Sequence, residues 1–428
     1  MNLILLSISF IHIINKKNGV MGKKRFCFIM RGILFLGVII SSCTKEKDLE
    51  FSDNLYQTDD VLNSGKRNDG SLTTLQQLGK ELFFDKISVP ENIIACASCH
   101  GPSVGFTGPD AMINMHGSVY PGANGSFGNR KPPSAAYATF SPVFYYDAAT
   151  LSFVGGNFWD GRATGERLGS PAAEQALGPF LNPAEHAVPD ALTVLKIIEK
   201  SEYISLWKKV WGEKLRYSTQ EEINLNFDRV GLAIAAYEGS SEVNQFSSKF
   251  DYYLKGIIKL TPEEKQGLNL FNKKGKCALC HNIESMGGTP PLFTDFTFEN
   301  LGVPINPENP VYDYNPAFID YGLGGFLLTR PDYSGMASVN MGKQKVPTLR
   351  NVDKRPSIHF TKAYMHNGVF KSLKEVVHFY NTRDDGSWPA PEVSANINKV
   401  DLGNLGMTDR EENAIVAFLK TLSDGYVK

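Results

Sequence analysis

From residue 72 onward, apolar positions recur at the helical period. Leu72, Leu75, Leu78, Leu82 and Phe83 fall along one side of a helix. Leu260-Thr261-Pro262-Glu263-Glu264 opens another, with Thr261 as N-cap, Pro262 at the first helical position and Glu264 completing a capping box. Leu268, Leu270 and Phe271 supply its apolar positions. Thr408 and Glu411 form a second box ahead of the stripe Ile415, Phe418, Leu419, Leu422. Ser372 and Glu375 read as a third, opening a helix over Leu373–Tyr380. At about 100° per residue, Leu373, Val376, Val377 and Tyr380 share one face of that helix, while His378 points roughly 140° from Leu373. The pattern predicts a mostly α protein.

The first 43 residues follow another pattern. Lys23, Lys24, Arg25 and Arg31 precede the apolar run Ile33–Ile40, and Ser41, Ser42 and Cys43 follow it. A basic flank, a short apolar run and small residues describe a secretory signal. The run is too short to span about 30 Å of hydrocarbon. Met21 is the candidate true start, and Cys27 inside the signal has no assigned role. Ile-Ser-Ser-Cys is similar to a bacterial lipobox, which implies cleavage before Cys43 and its lipidation. Residues 44–70 are polar without sustained period and read as a flexible tether. The expected location is the periplasmic side of a bacterial membrane or the cell surface, anchored through Cys43.

Composition narrows the class. The chain has 428 residues, 42% hydrophobic and 21% charged, which excludes a disordered or collagen-like chain. A net charge of -1 argues against a nucleic-acid surface. Six cysteines are too few for a disulfide scaffold. Setting aside Cys27 and Cys43 leaves four, in Cys96-Ala-Ser-Cys99-His100 and Cys277-Ala-Leu-Cys280-His281.

Each is C-x-x-C-H, the pattern of c-type haem attachment. Two thiols add across the two vinyl groups on one haem edge, and the following histidine then lies under the ring to bind iron. A thioredoxin-like pair needs a βαβ context that neither site has. A four-cysteine zinc site would have to join Cys99 to Cys277 across nearly half the chain, far from usual ligand spacing. Export alone leaves simple disulfides open. The expectation is two covalent haem c groups, one in each of two cytochrome c-like domains at 71–240 and 241–428.

Three further segments make a family resemblance specific: Phe158-Trp159-Asp160-Gly161-Arg162-Ala163; Glu174-Gln175-Ala176-Leu177-Gly178-Pro179 leading to Asn182-Pro183-Ala184-Glu185; and Val346–Val352 followed by Met365-His366-Asn367-Gly368. With the haem motifs, the chain resembles the bacterial dihaem cytochrome c peroxidase family, which includes the MauG-type enzymes. The resemblance implies a peroxide-reactive N-terminal haem and an electron-handling C-terminal haem. His100 and His281 become the proximal ligands. Glu185, by its residue type alone a surface glutamate, becomes the distal acid/base that moves a proton between peroxide oxygens. Gln175 takes the place of a supporting pocket glutamine. Trp159 matches a tryptophan lying between the haems, and Arg162 is placed to neutralise haem propionates. The interval from Trp159 to Gln175 is longer than the family leads one to expect, which places an altered pocket edge there.

The interval from His100 to His116 matches the one that separates proximal and distal histidines in the peroxidases, so His116 is a candidate labile iron ligand. The loop through Gly128 is rich in glycine and suited to movement. The interval from His366 to Tyr380 places that tyrosine where peroxidases carry a methionine and MauG-type members a ligating tyrosine. Tyrosinate is hard and anionic, which favours high oxidation states. Calcium is common between the domains of the family. Its matching carbonyls here are Thr361 and Ala363, but Lys131 stands where an asparagine ligand belongs, and an ammonium cannot ligate a cation.

The resemblance thus implies reduction of hydrogen peroxide with electrons from a small redox protein such as a cytochrome c or cupredoxin. The alternatives are MauG-like oxidation of a partner protein's residues and a non-catalytic electron-transfer cytochrome. Nucleic acid is not an expected partner, and the oligomeric state, a homodimer included, stays open.

Overall fold

Residues 71–285 and 287–427 are described by a computed structural model. The export segment expected at 1–43 and the tether expected at 44–70, with the expected anchor Cys43, lie outside the described residues. In the first half, α1 (Thr74–Phe84), α2 (Cys96–Cys99) and α3 (Ala111–Met115) precede a hairpin of β1 (Tyr145–Asp147) and β2 (Ser152–Val154). Then follow α4 (Pro171–Leu181), α5 (Ala191–Glu199), α6 (Ile204–Trp211) and α7 (Gln220–Glu238). The second half holds α8 (Lys249–Leu254), α9 (Pro262–Asn272), β3 (Phe298–Glu299), α10 (Val311–Tyr314), α11 (Gly322–Leu327), β4 (Gln344–Lys345), α12 (Leu373–Thr382) and α13 (Asp409–Lys420). Both strand pairs are antiparallel, with Tyr146 opposite Phe153 and Phe298 opposite Lys345. No helix among the described residues is long and apolar enough to cross a membrane.

The caps behave as their chemistry requires. Thr261 accepts from Glu264 N and Thr408 from Glu411 N, each with the reciprocal carboxylate bond that completes the box. Thr73 and Gln76 make a further box on α1. At α12, Ser372 accepts from Glu375 N, but the Glu375 carboxylate reaches Lys371 N at 2.7 Å instead of Ser372 N. The α12 cap is therefore wider than its sequence suggests, and the helix runs on to Thr382.

Two main cores lie within one compact unit. The first joins α1, α4, α5 and α7 through Leu78, Leu82, Leu177, Phe180, Ile198 and Ile234. The second joins α8, α9, α12 and α13 through Phe250, Phe271, Phe293, Phe379, Ile415 and Phe418. The first core extends past residue 240 to Val243 and also takes in Leu292 and Phe296 from the second half. A third, smaller cluster of Phe144, Phe153, Phe298, Leu323 and Leu327 seats the β1–β2 hairpin against the second half.

Two glycines allow the closest helix crossings. A Cβ on Gly79 of α1 would fall 1.8 Å from Ala233 O of α7. One on Gly267 of α9 would fall 1.9 Å from Ala414 O of α13. In each half, the helix before C-x-x-C-H thus lies backbone-to-backbone on the last helix, and this crossing sets where the cysteines emerge.

Candidate dihaem site

In the first half, Cys96 and Cys99 form α2 and His100 is its C-cap. His100 Nδ1 lies 3.1 Å from Phe106 O. A carbonyl only accepts, so Nδ1 carries the proton and Nε2 keeps its lone pair. Burial lowers the His100 pKa to about 4, so the ring is neutral, the form that binds iron. The second half repeats the arrangement. His281 Nδ1 donates to Phe293 O at 2.8 Å, and burial again holds the ring neutral. Among the described residues, none of the four motif cysteines is in a disulfide. Burial pushes the Cys99, Cys277 and Cys280 thiols up to about 12, and Cys96 higher still.

The first cavity measures about 530 Å³, its solvent mouth included, and is lined by Cys96, Cys99, His100, Tyr120, Gln175 and Glu185, among others. Gln175 projects from α4, whose cap Ser170 accepts from Ala173 N. Glu185 lies beyond the C-cap of α4, where Asn182 Nδ2 donates to Glu185 Oε1 at 2.7 Å. Burial raises the Glu185 pKa, and Asn182 and the nearby Arg162 guanidinium offset this only in part. The loop after His116 is fastened to this acid by Ala123 N, which donates to Glu185 O at 2.7 Å. The stretch between Trp159 and Gln175 is tied back by Glu174, whose carboxylate accepts from Gly165, Arg167 and Leu168 N.

His116 is not brought to this cavity. It caps α3 with its side chain 60% exposed, and Nδ1 sits 3.6 Å from Glu308 Oε1. Arg162 is also at the surface: it pairs with Asp160 at 2.9 Å and stacks over Phe158. A second acid, which sequence reasoning missed, lines the cavity. Glu238 ends α7, lies on this cavity wall and is 4% exposed. Burial pushes its pKa up to about 8. Its signal was available: a lone acid closing the apolar run Val230–Tyr237.

The second cavity is a cleft of about 1800 Å³, its solvent mouth included, lined by Cys277, Cys280, His281, Leu405, Met407 and Tyr380, among others. Leu373, Val376, Val377 and Tyr380 of α12 all face it. His378 faces away, with Nδ1 2.9 Å from Glu412 Oε1. Burial raises the Tyr380 phenol, and the neighbouring thiols and Glu299 add to this. Two thiols, a neutral histidine and an apolar slot in each half fit a covalently attached haem.

Trp159 stands on the wall of the second cavity facing the first half, 8% exposed. Its indole N–H donates to Lys131 O at 2.9 Å, and its ring meets that of His366 edge-on at 6.5 Å. Around it, Arg130 bridges Asp160 and Asp320 at 2.6 Å each. Among the described residues His366 Nε2 makes no hydrogen bond, and it lies 3.5 Å from Glu392.

The sequence profile of the di-haem cytochrome c peroxidases matches residues 73–259. The methylamine utilization protein MauG of Paracoccus denitrificans is 33% identical over 368 residues, covering 82% of this chain and 88% of its own. The chain belongs to the di-haem cytochrome c peroxidase family. The cytochrome c551 peroxidase of Nitrosomonas europaea is 29% identical over 82% of this chain and 80% of its own. Among solved structures, the diheme peroxidase BthA of Burkholderia thailandensis superposes with a TM-score of 0.70 at 29% identity, covering 83% of this chain and 87% of its own. A tyrosine-to-methionine variant of BthA matches with a TM-score of 0.68 at 30% identity, over 82% and 86% of the two chains. The protein is thus a mostly α dihaem oxidoreductase with two haem c groups, and the family includes both peroxidases and MauG-type enzymes.

The family's calcium site does not fit these residues. Lys131 presents an ammonium bound to Thr107 Oγ1 at 3.1 Å and Pro132 O at 3.0 Å. The Thr361 carbonyl accepts from Asn114 Nδ2.

Proposed function

We propose that this protein reduces hydrogen peroxide at the first haem with electrons from a small redox protein, a cytochrome c or cupredoxin. The supporting observation is one buried cavity that holds both His100 and the burial-raised carboxyl of Glu185. When bound, the haem supplies the iron at which the O–O bond is cleaved and the electrons are received. Glu185 accepts a proton at the near peroxide oxygen and returns it to the far one, which then leaves as water. Asn182 Nδ2 aims the carboxylate, and Gln175 supports the same wall. Overall, one peroxide, two electrons and two protons give two waters. His281 and Tyr380 would hold the second iron, and Trp159 would carry electrons between the halves. His116 takes no part in this arrangement, and calcium is not required. Cys43 anchors the chain by lipid on the periplasmic side of a membrane or the cell surface.

A second reading, MauG-like oxidation of a partner protein, is favoured by Tyr380 in the second cavity and by the 33% identity to MauG. Steady-state peroxide consumption separates the two. Reduced cytochrome c or cupredoxin should support saturable turnover of the dihaem protein. Peroxide oxidation of the haems without turnover by any small donor would move the assignment to the second reading.

A further inference from the structure

Lys131 is 7% exposed and occupies the junction between the halves. Its backbone N–H donates to His366 O at 2.8 Å, and its carbonyl accepts the Trp159 indole N–H. Its side chain turns back so that Nζ lies 5.9 Å from the centre of the Trp159 ring. The ammonium has a hydroxyl and a carbonyl as partners and no carboxylate. Burial lowers its pKa to about 8. The charged groups around it are Lys362, held by the carbonyls of Val104, Asn351 and Lys354; the Arg130–Asp160–Asp320 group; His366 with Glu392; and His100 across the first cavity.

We propose that the Lys131 ammonium is a built-in positive charge that sets how readily Trp159 gives up an electron, and so gates transfer between the two haems. The inference rests on the relay role of Trp159 given above. In the relayed step one electron leaves the indole for the peroxide-oxidised first haem, and one from the second haem refills it. The indole proton stays on Nε1, donated to Lys131 O, so no proton moves. The oxidant is hydrogen peroxide. While the indole lacks an electron it is a cation, and a nearby ammonium disfavours it. At an effective dielectric constant of about 20, a unit charge 5.9 Å away shifts the occupancy of that state roughly a hundredfold. A rate that feels about half of this shift changes about tenfold.

The charge of a lysine, unlike that of an arginine, can be lost with a proton. The sign follows directly: below about pH 8 the amine is charged and transfer is slow, and above it transfer speeds up.

The test mixes peroxide with the dihaem protein and follows the second haem by stopped-flow absorbance from pH 6 to 10, with freeze-quench EPR of the indole radical. Lys131→Met should transfer about tenfold faster at pH 7, lose the rise near pH 8 and give more radical. Lys131→Arg should stay slow throughout, and Lys131→Gln is the second neutral variant should the methionine variant not load haem. Neutral variants with wild-type rate, pH profile and radical yield overturn the proposal, provided Trp159→Phe blocks transfer. Transfer undiminished in Trp159→Phe overturns the relay reading beneath it.

Discussion

In the first half, Gly79 lets α1 touch α7, and His100 is tethered to Phe106 O. In the second, Gly267 lets α9 touch α13, and His281 is tethered to Phe293 O. The glycine approaches and the histidine tethers agree to within a few tenths of an ångström, although Cys96–Cys99 is a turn of α-helix and Cys277–Leu279 a 3-10 turn. What differs is the rest of each cavity. The first carries two buried carboxyls, Glu185 and Glu238, both with raised pKa. The second is lined by carboxyls too, but only Glu299 among them is raised by burial, Arg130 holds buried Asp320 low, and the inward face of α12 adds apolar side chains and one phenol, Tyr380. Under the function proposed above, one module would serve two tasks, with Glu185 moving protons in the first cavity and Tyr380 holding iron in the second.

The largest expected effect tests the proton side of this contrast. Glu185→Gln should keep both haems yet lose about 10²–10⁴-fold in peroxide turnover, the usual contribution of a general acid–base group. Burial raises the carboxyl, and its base form disappears as pH falls through that raised value. The acid limb of the wild-type profile should therefore lie above the ordinary carboxylate value of about 4.3 and be missing in the variant. A loss under about threefold would leave the first cavity without its shuttle.

The ligand side is tested by Tyr380→Met, which should raise the midpoint potential of the second haem and leave the first nearly unchanged. An anionic phenolate stabilises ferric iron more than a thioether does. His378→Ala should move neither potential, since His378 turns to Glu412. Spectroelectrochemical titration reads both, and wild-type spectra of His/Met or His/His ligation would remove Tyr380 from the iron.

The shared plan is tested by Gly79→Ala and Gly267→Ala. Each added methyl meets a backbone carbonyl, so each should destabilise by about 1–3 kcal/mol, seen as a lower Tm. If only one variant melts early, the two crossings are not equivalent. The smallest effect is expected at His116. His116→Ala should change turnover by no more than about twofold, as for an exposed surface position. A larger loss would bring His116 back as a haem ligand.

Local chemistry was legible in the sequence because its partners are near neighbours. C-x-x-C-H joins thiols and ligand within a single short motif, and the boxes at Thr261 and Thr408 each close within one helical turn. The inward face of Tyr380 and the outward face of His378 followed from helix geometry alone. The same reasoning fell short at Ser372, where the carboxylate of Glu375 had two backbone donors within reach and took Lys371 N. His116 shows the limit of spacing: its interval from His100 says nothing about direction, and the fold turns it to Glu308. Only the tertiary structure brought Glu238 at the end of α7 into the same cavity as Glu185, and only it laid Lys131 over Trp159. Those pairs are far apart along the chain, and burial, which gives each acid and amine its altered proton affinity, is a property of the packed walls around it and not of the side chain.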